Sequence, residues 1–227
     1  MNKNFLFLLF ALLAQHAVSQ ITNGNTGLSN PDPGGLENTT SAKGNWIVQL
    51  GWEGGLYFNE INTNLYGADS SYVDTAGAVF YPLSVEYCFT NRFSGGIAFR
   101  NGHYLTDQAG ETNRTNVFDF LVSFHLLEKV RNDLHLRLAF GPAALRVERD
   151  VHPKFEGTWA GGHFGLQLGY RHYFGKHIGL YASLGRNGYS LNQKTLSAYD
   201  VAIDPDDARW DMSLSGWEFG FGLVGKF

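Results

Sequence analysis

The chain has 227 residues and a formal net charge of −4, and 44% of its residues are apolar while 17% are charged. This composition excludes disorder along the whole chain, and the slightly negative balance gives no basic footprint for nucleic acid. Aromatic residues reach 15% and there are 28 glycines, which favours a β-rich chain over a helical one. The one cysteine, Cys88, excludes an intrachain disulfide framework and a multi-cysteine metal cluster.

The first 19 residues have the pattern of a secretory signal peptide. Lys3 supplies a positive start, residues 5–14 (FLFLLFALLA) form an apolar run, and residues 17–19 (AVS) are small residues at a cleavage site. Because a membrane-spanning helix needs about 20 apolar residues, we expect a cleaved export signal at 1–19 and not an anchor. Residues 20–43 are rich in Asn, Gly, Thr, Ser and Pro, which predicts a disordered polar segment before a domain at 44–227.

From residue 44 onward, apolar residues recur at every second position, the period of a β-strand with one apolar face. The pattern predicts strands at 46–52, 79–89, 93–99, 118–126, 134–140, 164–170, 178–184 and 217–223. Short connections alternate along the chain with longer polar stretches near 59–72, 101–114, 149–157 and 187–209. A meander of hairpins with short turns at one end and long loops at the other gives this order, as in an outer-membrane barrel.

A soluble β-sandwich would show the same alternation. The barrel is favoured because the apolar faces are large and aromatic, whereas the opposite faces are rich in glycine with isolated charges. An eight-stranded barrel has an interior just wide enough to be filled by side chains, and its closure leaves no strand edge in lipid. We therefore predict an all-β fold, an eight-stranded antiparallel up-and-down transmembrane β-barrel. Shifts in the apolar alternation further predict a β-bulge near Ser215 and Gly216 and a break at Gly141 and Pro142.

The end of the sequence, WEFGFGLVGKF, resembles the C-terminal strand of Gram-negative outer-membrane proteins of the OmpA/OmpX type. In that family, a terminal aromatic residue and alternating apolar residues before it are read by the barrel-assembly machinery. The matching positions here are Trp217, Phe219, Phe221, Leu223 and Phe227. The resemblance implies a bacterial outer-membrane location, with outer-membrane lipids, lipopolysaccharide, the assembly machinery and periplasmic chaperones as partners.

Charged residues fall on the face opposite the apolar one, which in a barrel faces the lumen. Four acids and four bases share that face: Glu53, Glu86, Arg100, Asp119, Arg137, Arg171, Glu218 and Lys226. A balanced set in a narrow interior predicts an ion-paired plug. A selective pore would favour one sign of charge.

Two further groups were considered as chemical sites. Asp119, Ser123 and His125 share one face of one strand and are the residue types of a hydrolase triad. Same-face neighbours lie about 6.6–7 Å apart, so lumen polarity is the favoured interpretation. Five aspartates within 200–211 would suit calcium but lack an EF-hand glycine, which favours a solvated loop. We therefore predict no catalytic residue, no cofactor and no bound metal.

The expected function is structural or interactive, with a plugged lumen and a protein partner at the extracellular loops. A narrow porin-like channel is the alternative, and a lipid-modifying outer-membrane enzyme is a third possibility. Loops are where function would reside, and this sequence carries no motif that names their partner.

Overall fold

The computed structural model describes residues 39–106, 108–152, 154–199, 201–204 and 206–227. The predicted export signal at 1–19 and residues 20–38 of the predicted polar segment lie outside the described residues. The strands of the described part are β1 (Trp46–Leu65), β2 (Ala68–Cys88), β3 (Phe93–Leu105), β4 (Glu111–Glu128), β5 (Asn132–Arg149), β6 (Phe155–Tyr173), β7 (Ile178–Ala198), β8 (Val201–Ala202) and β9 (Ala208–Lys226). No helix in these ranges has the length and apolarity needed to cross a membrane.

The long strands form one closed ring. Each of β1 to β7 pairs antiparallel with the next, and β9 pairs with β7 on one edge and with β1 on the other. The two-residue strand β8 pairs with the end of β7 and takes no part in the ring. The prediction of an eight-stranded antiparallel up-and-down barrel is therefore confirmed. Closure supplies every strand of the ring with hydrogen-bond partners on both sides, as lipid requires.

Strand β1 shows how the two faces are divided. Outward-facing Leu50, Leu56 and Phe58 are 56%, 68% and 63% exposed, whereas inward-facing Glu53 and Tyr57 are buried. The outward apolar residues extend from position 46 to position 58. At about 3.3 Å per residue this stretch is about 40 Å long, and a tilt of about 45° reduces it to about 28 Å across a bilayer. The outer surface therefore has the height of a lipid-facing apolar band.

The connections at the two ends differ from the prediction. Turns at 89–92, 129–131 and 174–177 lie at one end, here called the short-turn end. At the other, here called the mouth end, the predicted long loop at 59–72 is a continuation of β1 and β2 that closes in a turn at Tyr66 and Gly67, whose φ angles are 51° and 83°. The polar stretches near 101–114 and 149–157 likewise hold turns of only 106–110 and 150–154. The strands continue beyond the apolar band, where their outer face meets water and the apolar alternation ends.

The predicted bulge near Ser215 and Gly216 is wrong. Ser215 pairs with Phe58 and Gly216 with Tyr57 in one unbroken register. Apolar residues change sides at this point because β9 leaves the apolar band. On the short-turn side of this point the outward residues are apolar, as at Trp217. On the mouth side the inward residues are apolar instead.

The predicted break of the alternation at Gly141 and Pro142 is also wrong, although the pairing of β4 with β5 is interrupted there, between Val117–Ala143 and Phe120–Phe140. Inward-facing Ala139 and Ala143 are both buried, and β5 pairs with β6 without a shift across this stretch. Pro142 lies on the outward face, where its ring leaves the alternation intact. Register shifts occur instead between 125 and 127 of β4 and between 158 and 159 of β6.

Residues 39–45 are ordered against the short-turn end. The Thr40 amide donates to the carbonyl of Lys129 at 3.2 Å, and the Ser41 hydroxyl donates to the carbonyl of Asn91 at 2.9 Å. Thr40 and Ser41 are fully buried. The boundary predicted at residue 44 therefore differs from the structure, in which 39–43 belong to the barrel domain because turn carbonyls satisfy their polar groups.

Candidate functional site

Charged and histidine side chains inside the barrel form two layers. The mouth-side layer consists of Glu53, Arg100, Asp119, His163 and Glu218, and the turn-side layer consists of Glu86, His125, Asp133, Arg137 and Arg171. All ten are at most 8% exposed. Seven of them are among the eight residues assigned to the lumen from the sequence.

Arg100 is the centre of the mouth-side layer. Its Nε donates to Glu53 Oε2 at 2.9 Å, and its Nη2 donates to Glu218 Oε2 at 2.5 Å. Its Nη1 donates to the Tyr189 hydroxyl at 3.1 Å. The planar guanidinium thus holds carboxylates from β1 and β9, the two strands that close the ring, from its position on β3.

Asp119 joins this layer through a histidine. His163 Nδ1 lies 2.7 Å from Asp119 Oδ1, and His163 Nε2 lies 3.3 Å from Arg100 Nη1. The imidazole therefore links the carboxylate to the guanidinium across the lumen. His163 has the inward parity of its strand, but no sequence signal connects it with a residue 44 positions away.

Glu86 organises the turn-side layer. Its Oε1 accepts hydrogen bonds from Nη2 of Arg137 and Nη2 of Arg171, each at 2.5 Å. Its Oε2 accepts from the hydroxyls of Ser94 at 2.9 Å and Ser123 at 2.6 Å. Four donors on a fully buried carboxylate compensate for its lost hydration.

Asp133 completes this layer and was missed from the sequence. Its Oδ2 accepts from Arg171 Nη1 at 2.8 Å, and its Oδ1 lies 2.8 Å from His125 Nδ1. The prediction placed Asp133 in a turn, whereas it is the second residue of β5. The alternation Asp133, His135, Arg137 was a usable signal, since all three share one parity and are buried.

Lys226 stands apart from both layers. Its Nζ lies 3.4 Å from the carbonyl oxygen of Thr39 and 5.4 Å from the centre of the Tyr173 ring at the short-turn end. The structure thus brings seven of the eight predicted lumen charges into the two layers and leaves the eighth beside the N-terminal residues of the domain.

The three residues considered as a triad do not contact one another. Ser123 donates to Glu86, and Asp119 bonds His163. A different set, Ser94, His125 and Asp133, has triad-like contacts, with His125 Nε2 3.0 Å from Ser94 Oγ. All three are at most 1% exposed. Their contacts with Glu86 and Arg171 make all three part of the hydrogen-bond network of the turn-side layer.

Glycines make room for these side chains. A Cβ at position 169 would lie 2.4 Å from Nε2 of His135, and one at position 165 would lie 2.0 Å from Oδ1 of Asn187. The space left beside Arg100 and Arg137 is about 20 Å³. A cavity of this size holds about one water molecule. The layers therefore leave little space around these two guanidinium groups.

The predicted C-terminal signal lies on the outer face of β9. Trp217, Phe221, Leu223 and Phe227 are 55–70% exposed, and Phe219 is half-buried. The amide of Phe227 donates to the carbonyl of Trp46 at 2.9 Å, and the Trp46 amide donates back at 2.8 Å. These side chains line the seam at which the last strand meets the first.

The acidic stretch at 200–211 does not converge. Asp200 lies outside the described residues, Asp211 Oδ2 accepts from Arg209 Nε at 2.8 Å, and Asp204 Oδ1 accepts from the Asp206 amide at 3.0 Å. In the ranges that the structure covers, no group of three or more acidic, histidine or cysteine side chains is arranged to hold a metal ion.

A cavity opens above the mouth-side layer. An apolar cluster that includes Tyr57, Phe80 and Tyr189 separates the two, with the Phe80 and Tyr189 rings stacked 6.4 Å apart. The cavity above it has a volume of about 650 Å³ and an apolar floor that includes Leu145 and Leu214. We call it the mouth cavity. Its size lies within the range of small-molecule sites, which recur in the mouths of β-barrels.

The wall of the barrel is notched beside the mouth cavity. Strand β3 ends early, so its pairing with β2 begins at Leu105 opposite Gly77. Over 68–76, β2 pairs with β1 on one edge, and among the described residues its other edge has no strand partner. On the far side of the notch, the Asn113 side chain takes the place of backbone pairing between β3 and β4. Its Oδ1 accepts from the Tyr104 amide at 2.6 Å, and its Nδ2 donates to the Tyr104 carbonyl at 2.9 Å.

No protein-family model matches this chain, and no curated protein sequence matches it. The outer membrane protein OprG from Pseudomonas aeruginosa is similar in structure, with a TM-score of 0.59 and 13% identity over 82% of this chain and 97% of OprG. The N-terminal β-barrel domain of OprF from the same organism has a TM-score of 0.42 and 14% identity over 76% of this chain and 97% of that domain. The attachment invasion locus protein Ail of Yersinia pestis has a TM-score of 0.41 and 12% identity over 82% and 99%. The likeness to OprG shows that this chain has the fold of a small outer-membrane β-barrel.

Proposed function

We propose that this chain is a non-conducting barrel of the bacterial outer membrane, whose role is structural or lies in surface interaction at the mouth end. The observation that carries the proposal is the pair of charge layers, which leave a space of only about 20 Å³ beside Arg100 and Arg137. A continuous water path would require these guanidinium groups to leave their carboxylates. Separating a buried ion pair costs about 3–5 kcal/mol, which favours the closed state.

The orientation follows from the general plan of such barrels, in which short turns face the periplasm and longer connections face outward. The mouth end would then face the cell exterior. In this arrangement the apolar band contacts outer-membrane lipids and lipopolysaccharide. The barrel-assembly machinery and periplasmic chaperones would handle the chain during export, with Trp217, Phe219, Phe221, Leu223 and Phe227 as the assembly signal. A protein partner at the mouth end completes the proposal.

The test is single-channel recording in planar bilayers, after fractionation and a heat-modifiability gel have established a folded outer-membrane protein. We expect no steps above the leak for the natural chain. The variant Glu53→Ala/Arg100→Ala/Glu218→Ala removes the centre of the mouth-side layer and should conduct. The matched variant Leu50→Ala/Leu83→Ala/Leu223→Ala, on the lipid face, should not.

Stable conductance of the natural chain would contradict the proposal and support the narrow porin-like channel. Lipid A mass spectrometry on cells that produce the chain tests the third possibility. A changed acylation pattern that is lost in Ser94→Ala would replace the structural role with an enzymatic one.

A further inference from the structure

The lining of the mouth cavity has an unusual composition. Its aromatic side chains are Tyr72, Tyr104, Phe155, Trp159 and Trp210, and its charged side chains are Asp74 and Glu111. Lysine and arginine do not occur among the residues that the structure shows lining it. Aromatic faces and carboxylates both attract cations, whereas neither attracts an anion.

Three polar atoms on residues that line the cavity have no hydrogen-bond partner among the described residues. They are the Tyr104 hydroxyl, Oδ1 of Asn59 and Nε1 of Trp210, all of them buried. Tyr104 itself is 8% exposed. A buried polar group without a hydrogen bond is costly, and native structures contain few of them. Two of these three atoms are acceptors, which suits a ligand that brings N–H donors.

Contacts within the barrel position part of the aromatic lining. Nε1 of Trp159 donates to the carbonyl of Trp210 at 2.7 Å, and the Tyr104 ring packs edge-on against Tyr57 at 5.8 Å. Burial and the neighbouring Asp74 carboxylate both raise the pKa of Tyr72, so its hydroxyl remains protonated at neutral pH and adds a further polar group at the rim. A preformed lining of this kind loses little side-chain entropy when a ligand binds.

We propose that the mouth cavity binds a small organic ammonium ion with an apolar, ring-bearing body. The apolar body lies against the floor at Leu145 and Leu214, the ammonium group is attracted by the aromatic faces and by Asp74 and Glu111, and its N–H groups donate to the Tyr104 hydroxyl or to Asn59 Oδ1. This inference rests on the proposed function, since it specifies what the mouth end recognises.

The ligand reaches the mouth cavity through the notch in the wall. One side of it is formed by Tyr72, Asp74 and Thr75 of β2, and the other by Thr106, Gln108 and Glu111. Because both carboxylates lie at this opening, a cation meets them before it reaches the aromatic floor. The ligand therefore enters from the side of the mouth, and the charge layers below need not open.

The test is calorimetric titration of the full chain in phosphatidylcholine nanodiscs with three matched indole compounds. Tryptamine carries an ammonium group, tryptophol a neutral hydroxyl and indoleacetate a carboxylate. We expect tryptamine to bind about tenfold more tightly than indoleacetate, with tryptophol between them. Asp74→Asn/Glu111→Gln should reduce this ratio to about threefold or less, whereas Glu60→Gln/Asp69→Asn, at exposed positions outside the cavity, should preserve it.

Tyr104→Phe keeps the ring and removes the unpartnered hydroxyl. It should leave the heat-modifiability shift intact and weaken tryptamine binding about threefold. Equal binding of tryptamine and indoleacetate, or no binding at millimolar concentration, would overturn the inference. Because conductance is measured separately, a silent barrel that binds no amine refutes this inference alone, and a conducting barrel refutes the proposed function alone.

Discussion

Replacing Glu86 by glutamine tests whether the turn-side layer stabilises the barrel. The substitution keeps the shape and removes one negative charge that two guanidinium groups share at 2.5 Å. Arg171 retains Asp133 at 2.8 Å as a counter-charge. Among the described residues, the partner that remains for the Arg137 side chain is the neutral amide oxygen of Gln49. Glu86→Gln therefore leaves one buried cation without a carboxylate.

The expected loss of stability follows from this one unpaired cation. Breaking a buried ion pair by removing one partner costs about 3–5 kcal/mol. The amide oxygen of the new glutamine still accepts from the guanidinium groups, and its amide group can donate to the hydroxyls of Ser94 and Ser123, which places the loss near the lower limit. We expect the free energy of unfolding to fall by about 3 kcal/mol. Glu86→Gln/Arg137→Met removes the unpaired cation as well and should regain about 1–2 kcal/mol of this loss.

The assay is reversible urea unfolding in phospholipid vesicles, followed by tryptophan fluorescence. Glu60→Gln is the matched control, because Glu60 lies exposed on β1 beyond the apolar band and should change stability by less than about 0.5 kcal/mol. If Glu86→Gln and Glu60→Gln unfold at the same urea concentration, the layer fills the lumen without stabilising it, and the reasoning from paired charges fails.

Three further predictions are checked by the same unfolding assay or by amide hydrogen exchange. Phe120→Arg, on the lipid face of β4, should cost about 2–4 kcal/mol, whereas Ser71→Arg on exposed β2 should cost little; a neutral effect of Phe120→Arg would mean that the faces are reversed. Gly169→Ala places a Cβ 2.4 Å from His135 and should cost about 1–3 kcal/mol, while Gly162→Ala meets nothing within 4 Å and should be tolerated. Gly67→Ala, at a φ of 83°, should speed amide exchange across the tip of the β1–β2 hairpin without lowering global stability, and unchanged exchange there would contradict the turn geometry.

The fold could be predicted from the sequence because each residue of an alternating strand faces one of only two sides. Once the apolar side of a strand is known, the opposite side follows, so the inward parity of residues such as Glu86 and Arg171 needed no structure. The same argument identified the eight strands and their order. It gave strands that were too short, since apolar alternation marks only the part of a strand that lies in the apolar band.

Two of the errors about strand continuity, the loop at 59–72 and the bulge near Ser215, have this one physical cause. Beyond residue 58 of β1 the outer face carries Glu60 and Asn62, which are the residue types of a loop. On β9, inward Met212 and outward Trp217 have opposite parity, which imitates a bulge. Each pattern reflects a change of solvent along a continuous strand, from water to lipid. A sequence argument that allows the environment to change along a strand would have found both.

Partner choice inside the lumen lay beyond the sequence for a different reason. Contacts across a barrel depend on strand tilt and stagger, which alternation leaves undetermined. Arg171 reaches Glu86 over a separation of 85 residues, and Arg100 reaches Glu218 over 118. Composition could therefore indicate a balanced plug, whereas the division into two layers and the inclusion of Asp133 required the structure.

The mouth-side layer links the filling of the lumen with the closure of the ring. Glu53 lies on β1 and Glu218 on β9, and Gly55 pairs with Glu218 along the seam between these strands. Arg100 holds both carboxylates from β3, so its guanidinium bridges the one junction that joins distant parts of the chain. The strands of this seam are separated by all the other strands of the ring, which makes their pairing the one with the largest loop-closure entropy. A charge-assisted contact at this position stabilises the strand pairing that loop-closure entropy disfavours most.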